Sequence, residues 1–268
     1  MTGEGAKDGG ARKAGREAER RRAEAPAPRR GDPRVFPPLQ VLWTGEHEVA
    51  VEKPAGLSSE RPETASRDAA PSDSVIARAR LQFAWPDAQL PHRLDRPTSG
   101  VLVVSADRSR AAHHAREIQE GRWAKWYLAR LSAKDARPEL LGTHRRYLRR
   151  EGRIARCVRS GGDPSSLEIL AIERATDRAA DAHALIRLHT GRYHQIRAML
   201  ADLGAPLLGD VAYGGAAERP ELELIATALR INRIGGAVRI LSPTPRSVAA
   251  GLVQRLEACL HEASRDEA

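Results

Sequence analysis

The run Gly100-Val-Leu-Val-Val-Ser105 constrains the fold more than any other segment. It is continuously apolar yet too short for a helix, so it reads as a buried strand. Further strand signals lie around it. Leu39-Gln-Val-Leu-Trp43 and Glu48-Val-Ala-Val-Glu52 flank a turn at Gly45-Glu-His47 and read as a strand pair, closed by the turn signal Lys53-Pro54-Ala55-Gly56. Residues 126–131, 167–173, 182–188, 222–230 and 238–241 are also strand-like. Three helices are expected besides a final one. A short one covers residues 74–83, and another, capped by Asp107 or Ser109, carries Ala111, Ala112, Ala115 and Ile118 on one face. A third covers residues 193–200 and stops at Gly204 and Pro206. The final helix repeats Val248, Leu252, Leu256 and Leu260 at four-residue spacing. Strands and helices mix without a βαβ rhythm, so the class is α+β, a mixed sheet with flanking helices.

Residues 1–34 differ from the rest. Ten lysines and arginines face six acidic residues there, and beyond alanine the only aliphatic side chain is Met1. Such a segment buries too little apolar surface to offset its chain entropy. A disordered basic tail over 1–34 is expected, with an RNA-tethering arm as the functional alternative, ahead of one domain over 35–265. The net charge of +9 favours a polyanion partner but also fits proteins that bind no nucleic acid. Aromatics at 4% exclude a large stacking platform for single strands. Cys157 and Cys259 sit in no metal-ligand spacing and fit a reducing cytoplasm. With no membrane-length apolar run and no secretory segment, a cytoplasmic protein is expected, without membrane partner, metal or cofactor, and monomeric.

The candidate chemistry centres on His92-Arg93-Leu94-Asp95-Arg96-Pro97-Thr98-Ser99-Gly100. A carboxylate on a loop entering a buried strand is held and presented, and the small hydroxyls and glycine admit a substrate backbone. Flanking arginines would depress its pKa and keep it ionised for nucleophilic attack. Read locally, however, a turn Asp95 paired to Arg93 or Arg96 fits at least as well. Residues 145–159 hold seven arginines against one glutamate. Arg145, Arg146, Arg149, Arg150, Arg153 and Arg156 are candidate phosphate contacts, with a solvated edge strand as the alternative.

The segment from His92 to Gly100 resembles the HRLDxxTSG signature of the RluA-type pseudouridine synthases. Glu48-Val-Ala-Val-Glu-Lys-Pro-Ala-Gly-Leu57 resembles that family's strand and KPAGL-type turn, and Lys125-Trp-Tyr-Leu-Ala129 its KxYxA segment. Thr190-Gly-Arg-Tyr-His-Gln-Ile-Arg197, Pro206-Leu-Leu-Gly-Asp210 and Tyr213-Gly214 resemble its last block. The four blocks are collinear and span about residues 39–245. The resemblance implies a pseudouridine synthase catalytic domain on a mixed, mostly antiparallel sheet, acting on ribosomal or transfer RNA without a cofactor. It implies that Asp95 is the nucleophile, Tyr127 the tyrosine against the target base, and Arg197 the arginine paired with the carboxylate. Arg93 would fill the space of the flipped nucleotide. Arg192, His194 and Gln195 either contact RNA or support their loop, whereas Asp210 and Tyr213 read as turn residues. Adjacent His113 and His114 are not expected to act together.

Three departures bear on substrate choice: Tyr193 where the family usually has Thr or Ser, Ile225 where it commonly has His, and a short segment 58–91 lacking its usual His. Residues 1–34 are too short for the S4 RNA-binding domain of many relatives. The rival expectation is a catalytically silent RNA-binding or ribosome-assembly factor on the same fold. A glycosidase would need a second placed carboxylate, and a metal-dependent nuclease clustered ones.

Overall fold

This computed structural model describes residues 37–60, 73–217, 222–233 and 236–262. The expected tail and part of the polar loop after Leu57 lie outside the described residues. The chain runs through β1 (Gln40–Thr44), β2 (Glu48–Lys53), α1 (Val75–Gln82), β3 (Ser99–Ser105), α2 (Arg108–Gln119) and β4 (Trp123–Ser132). It continues through β5 (Gly142–Glu151), β6 (Ile154–Val158), β7 (Asp163–Arg174), β8 (Asp181–Leu188) and α3 (Gln195–Asp202). The last elements are β9 (Leu224–Arg233), β10 (Gly236–Leu241) and α4 (Ala250–Glu262). The expected elements are all present, and the short α1 and α2 start on caps: the Ser74 hydroxyl accepts from the Ala77 amide and the Asp107 carboxylate from the Arg110 amide.

The ten strands form one sheet in the order β1-β2-β3-β9-β4-β8-β7-β5-β6, with β10 added to β9. Every pairing is antiparallel except β3 with β9, so the α+β class with a mixed, mostly antiparallel sheet is what the chain adopts. β9 comes late in the sequence yet inserts between β3 and β4. It approaches β3 so closely at Gly100 that a Cβ there would collide with the Ala226 backbone, and φ at Gly100 is +110°. Only glycine fits where the loop carrying Asp95 enters its strand.

Alternation decides the layers. From β3, Leu102 and Val104 enter the core beneath α1 and α3, while Val101 and Val103 enter a second core with Trp123 and Ile231. From β4, Tyr127, Ala129 and Leu131 join the first core, whereas Trp126 and Leu128 meet Leu252, Leu256 and Leu260 of α4. The middle of β3, Val101 to Val104, is continuously apolar because both of its faces are covered.

The buried face of α2 corrects the sequence reading. It is Ala111, His114 and Glu117, not the alanine stripe that includes the exposed Ala112. His114 is sheltered because its ring nitrogens meet Glu117 at 2.7 Å and Glu48 at 3.0 Å, and Trp123 Nε1 donates to Glu117. His113 also reaches Glu117, at 3.5 Å, so the two histidines do converge through a shared i+3/i+4 partner. Among the described residues no helix is long and apolar enough to cross a membrane.

Candidate active site

Asp95 sits on the loop before β3, and the turn after β2 is bonded to that loop. The ammonium of Lys53, at the end of β2, is fully buried and donates to the carbonyls of Pro54 (3.0 Å), Leu57 (2.6 Å) and Arg96 (3.1 Å). The Gly56 amide donates to the Arg96 carbonyl, and Arg96 Nε returns a bond to the Gly56 carbonyl. Ser59 grips the other side, its hydroxyl donating to the Leu94 carbonyl and accepting from the Leu94 amide. His92 is half-buried, edge-on to Trp123, and accepts from the Val103 amide. Burial holds its pKa down at about 3, so it stays neutral and acts as an anchor. Residues on both sides of Asp95 are thus pinned, and its carboxylate is aimed rather than free.

The arginines beside Asp95 in sequence are not its partners. Arg93 lies 3.7 Å from Glu60 with an exposed side chain, and Arg96 turns to Gly56. The nearest cation is Arg197 Nη1 at 3.9 Å, and His194 Nε2 lies at 3.8 Å. The expected depression of the Asp95 pKa is accordingly overturned. Burial raises it, Asp210 adds to the rise, and Arg197, Lys53 and Arg93 only partly offset it.

Arg197 comes from α3, and its fork engages Asp210 rather than Asp95. Nε and Nη2 each donate to an Asp210 oxygen at 2.7 Å, both side chains being buried. The remaining nitrogen, Nη1, faces Asp95 and lies 3.0 Å from His194 Nε2. An arginine can only donate, so the His194 ring accepts from Nη1, which lies 3.3 Å from Nδ1 as well, and Nδ1 lies 3.0 Å from the Tyr213 hydroxyl. Burial and the charges of Arg197 and Arg150 lower the His194 pKa to about 4, consistent with a neutral ring. Tyr213 also accepts from the Ala155 amide at 2.7 Å and lies under the Arg197 guanidinium. Asp210 and Tyr213 therefore do more than close a turn: they brace Arg197 and His194. The turn itself is tight, since a Cβ on Gly215 would strike the Leu207 carbonyl.

Tyr127 projects from the middle of β4 into the same core and is buried. Burial, then the charge of Asp95, pushes its phenol far above the ordinary range, so it is protonated at neutral pH. Gln195 is consumed by its loop: Oε1 accepts from Thr190 Oγ1 and the Arg192 amide, and Nε2 donates to the Ser166 carbonyl. Arg192 is exposed, with Nε on the Pro164 carbonyl.

The arginine-rich segment is the β5–β6 hairpin at the outer edge of the sheet, and the pleat divides it. Arg146 and Arg150 share the face of Leu148 turned to α3, where Arg146 pairs with Asp202. Arg145, Arg149 and Arg156 share the other face with the exposed Tyr147, and Arg153 is exposed at the turn. Glu151 pairs with both Arg149 and Arg156.

Residues 47–202 match the family model described as RNA pseudouridylate synthase. The chain is 32% identical over 204 residues to the dual-specificity RNA pseudouridine synthase RluA of Salmonella typhi, covering 75% of this chain and 90% of that protein. It is 31% identical over 190 residues to ribosomal large subunit pseudouridine synthase D of Xanthomonas campestris pv. campestris, covering 69% of this chain and 54% of that protein. Among solved structures, human RNA Pseudouridylate Synthase Domain Containing 1 shares the fold with a TM-score of 0.65 at 23% identity, over 82% of this chain and 94% of that one.

Proposed function

The chain belongs to the RNA pseudouridylate synthase family, an RNA-acting isomerase family, and we propose that it isomerises particular uridines of ribosomal or transfer RNA with Asp95 as the attacking carboxylate. The observation that carries this reading is the convergence of three side chains from a loop, a strand and a helix: Asp95, Tyr127, and Arg197 with Nη1 at 3.9 Å from the carboxylate.

The reaction breaks the bond between uracil N1 and sugar C1′, turns the base, and joins C5 to C1′. The C5 proton leaves and N1, freed from the sugar, gains one, so nothing is oxidised or reduced and no cofactor is consumed. An ionised Asp95 attacks either the uracil ring or C1′, and either route needs a carboxylate that is aimed and only partly neutralised. The raised Asp95 pKa makes it a better nucleophile than a fully paired aspartate, while Arg197 limits the rise. Tyr127, held as a neutral phenol, offers a ring face to the base and a hydroxyl for proton relay. A stacked uridine must leave its helix to reach this trio, so base flipping is required, and the exposure of the Arg93 side chain supports its filling the vacated space. The charge of Arg145, Arg149, Arg153, Arg156 and Arg192 supports phosphate contact. Residues 35–265 serve as the catalytic domain, with the basic segment 1–34 as a tail ahead of it.

Pseudouridine mapping of ribosomal and transfer RNA from cells with and without the gene tests the proposal. Loss of modification at one or a few uridines is expected, restored by the wild-type gene and not by Asp95→Asn. An unchanged map in the deletion strain overturns it.

A further inference from the structure

Tyr193 stands where a small hydroxyl residue is usual, and its surroundings give that bulk a use. Its ring stacks on His194 with centroids 3.9 Å apart and planes 16° apart. The Arg150 guanidinium of β5 lies over the same ring, 4.5 Å from its centroid. One ring face cannot hold both groups, so Tyr193 is sandwiched between them. Its hydroxyl donates to the Arg153 carbonyl at 3.2 Å, in the turn of the same hairpin. His194 carries φ of 52°, a left-handed backbone uncommon for a residue other than glycine. Beyond His194 are Arg197 Nη1 at 3.0 Å and Asp95 at 3.8 Å. A continuous line of contacts thus runs from the arginine hairpin to the catalytic carboxylate, and Tyr193 is its middle member.

We propose that Tyr193 is a positioning residue which locks His194, and through it the Asp95–Arg197 pair, against the β5–β6 hairpin. RNA phosphates on the hairpin are thereby registered with the carboxylate that attacks the base. The inference rests on the pseudouridine synthase reading and adds to it. A threonine at this position would leave a ring-sized gap between Arg150 and His194, with ties such as the Ala155–Tyr213 bond and the Arg146–Asp202 pair left to hold the hairpin to this side of the site. Arg150 is then a structural partner of the site more than a free phosphate ligand, unlike the exposed Arg145 on the opposite face.

The test is single-turnover release of tritium from RNA labelled at uridine C5, at saturating RNA, with wild type, Tyr193→Ala, Tyr193→Thr, Tyr193→Phe, Arg150→Ala and the Tyr193→Ala/Arg150→Ala double variant. Tyr193→Ala, Tyr193→Thr and Arg150→Ala should each slow the step about tenfold, the scale of one aromatic pair plus one cation–π contact. Tyr193→Phe, which keeps the sandwich, should restore the rate, and the double variant should be no slower than the worse single one. In parallel, the His194 ring-proton resonance should move downfield when the stacked ring is removed and stay in place with phenylalanine. Rates of all single variants within about twofold of wild type, or losses that multiply in the double variant, overturn the proposal. So does a His194 resonance indifferent to Tyr193→Ala. If wild type releases no tritium from any RNA the enzymatic reading fails instead, and the His194 resonance still decides the stack.

Discussion

Asp210→Asn is the most informative perturbation of the site's framework. Asp210 is 2% exposed and accepts both 2.7 Å bonds of the Arg197 fork, while Arg197 is itself buried. Asparagine keeps the shape but loses the charge and turns an amide donor toward the guanidinium donors. Removing one partner of such a pair leaves an uncompensated buried charge, which costs about 3–5 kcal/mol. At about 2–4 °C per kcal/mol for a domain of this size, the melting midpoint should fall by roughly 6–20 °C. Urea denaturation at neutral pH, with unchanged m, measures the loss. Arg197→Met with Asp210→Asn should cost clearly less than the two single losses together, because the orphaned charge is gone. Catalysis carries a second signature. The freed guanidinium can swing onto Asp95, 3.9 Å from it, and the repulsion that Asp210 exerts on Asp95 disappears. Both effects lower the Asp95 pKa, so the acid limb of the rate profile should move to lower pH. A stability loss below about 1 kcal/mol, or strictly additive single losses, would refute the view that this pair sets the position of Arg197.

Three further outcomes are expected. Lys53→Met removes a buried ammonium from three carbonyls and should cost about 2–4 kcal/mol, since each charge-assisted bond is worth about 1.5–3 kcal/mol before the ammonium's own desolvation is deducted. The rate should fall with it, and a folded, fully active variant would show that the two loops need no such clamp. For Asp95, the native pKa lies above the unfolded 3.8, so between the two values the native state binds more protons and stability falls as pH rises. At neutral pH the carboxylate therefore costs stability, and Asp95→Asn should melt higher than wild type at pH 7, with the gain vanishing below pH 3.8. Equal melting at all pH values would contradict the raised pKa. Replacing Arg145, Arg149, Arg153 and Arg156 by glutamine should flatten the dependence of log affinity on log salt by about 0.7–0.9 for each phosphate no longer neutralised. An unchanged slope would take the hairpin's outer face out of the RNA interface.

The legible part of this fold was the part that rests on local pattern. Alternating and continuous apolar runs located β2, β3, β4 and β8 to within a few residues, since burial on one face or both leaves its period in the sequence. The place of β9 between β3 and β4 was not legible, because strand order is a long-range choice written only in small signs such as Gly100. The face of α2 was misread because a buried histidine is tolerated when two carboxylates meet it, and Glu48 lies 66 residues away. In the site, Asp95, Tyr127 and Arg197 were each singled out by their motif, and Arg197 Nη1 lies 3.9 Å from the Asp95 carboxylate. The roles of Asp210 and Tyr213 were not, because Asp210 looked like turn chemistry until its partner 13 residues upstream was folded against it. The Asp95 pKa was read in the wrong direction for a related reason: sequence neighbours point to Arg93 and Arg96, but in space both turn away and burial prevails.

The central claim is that the Asp95 carboxylate carries out uridine isomerisation. Its most direct test is tritium release from C5-labelled ribosomal and transfer RNA prepared from cells lacking the gene, with wild type beside Asp95→Asn. Wild type is expected to release tritium to a plateau set by a small number of uridines, and Asp95→Asn to release none while still binding the RNA. Release by Asp95→Asn at the wild-type rate would contradict the account.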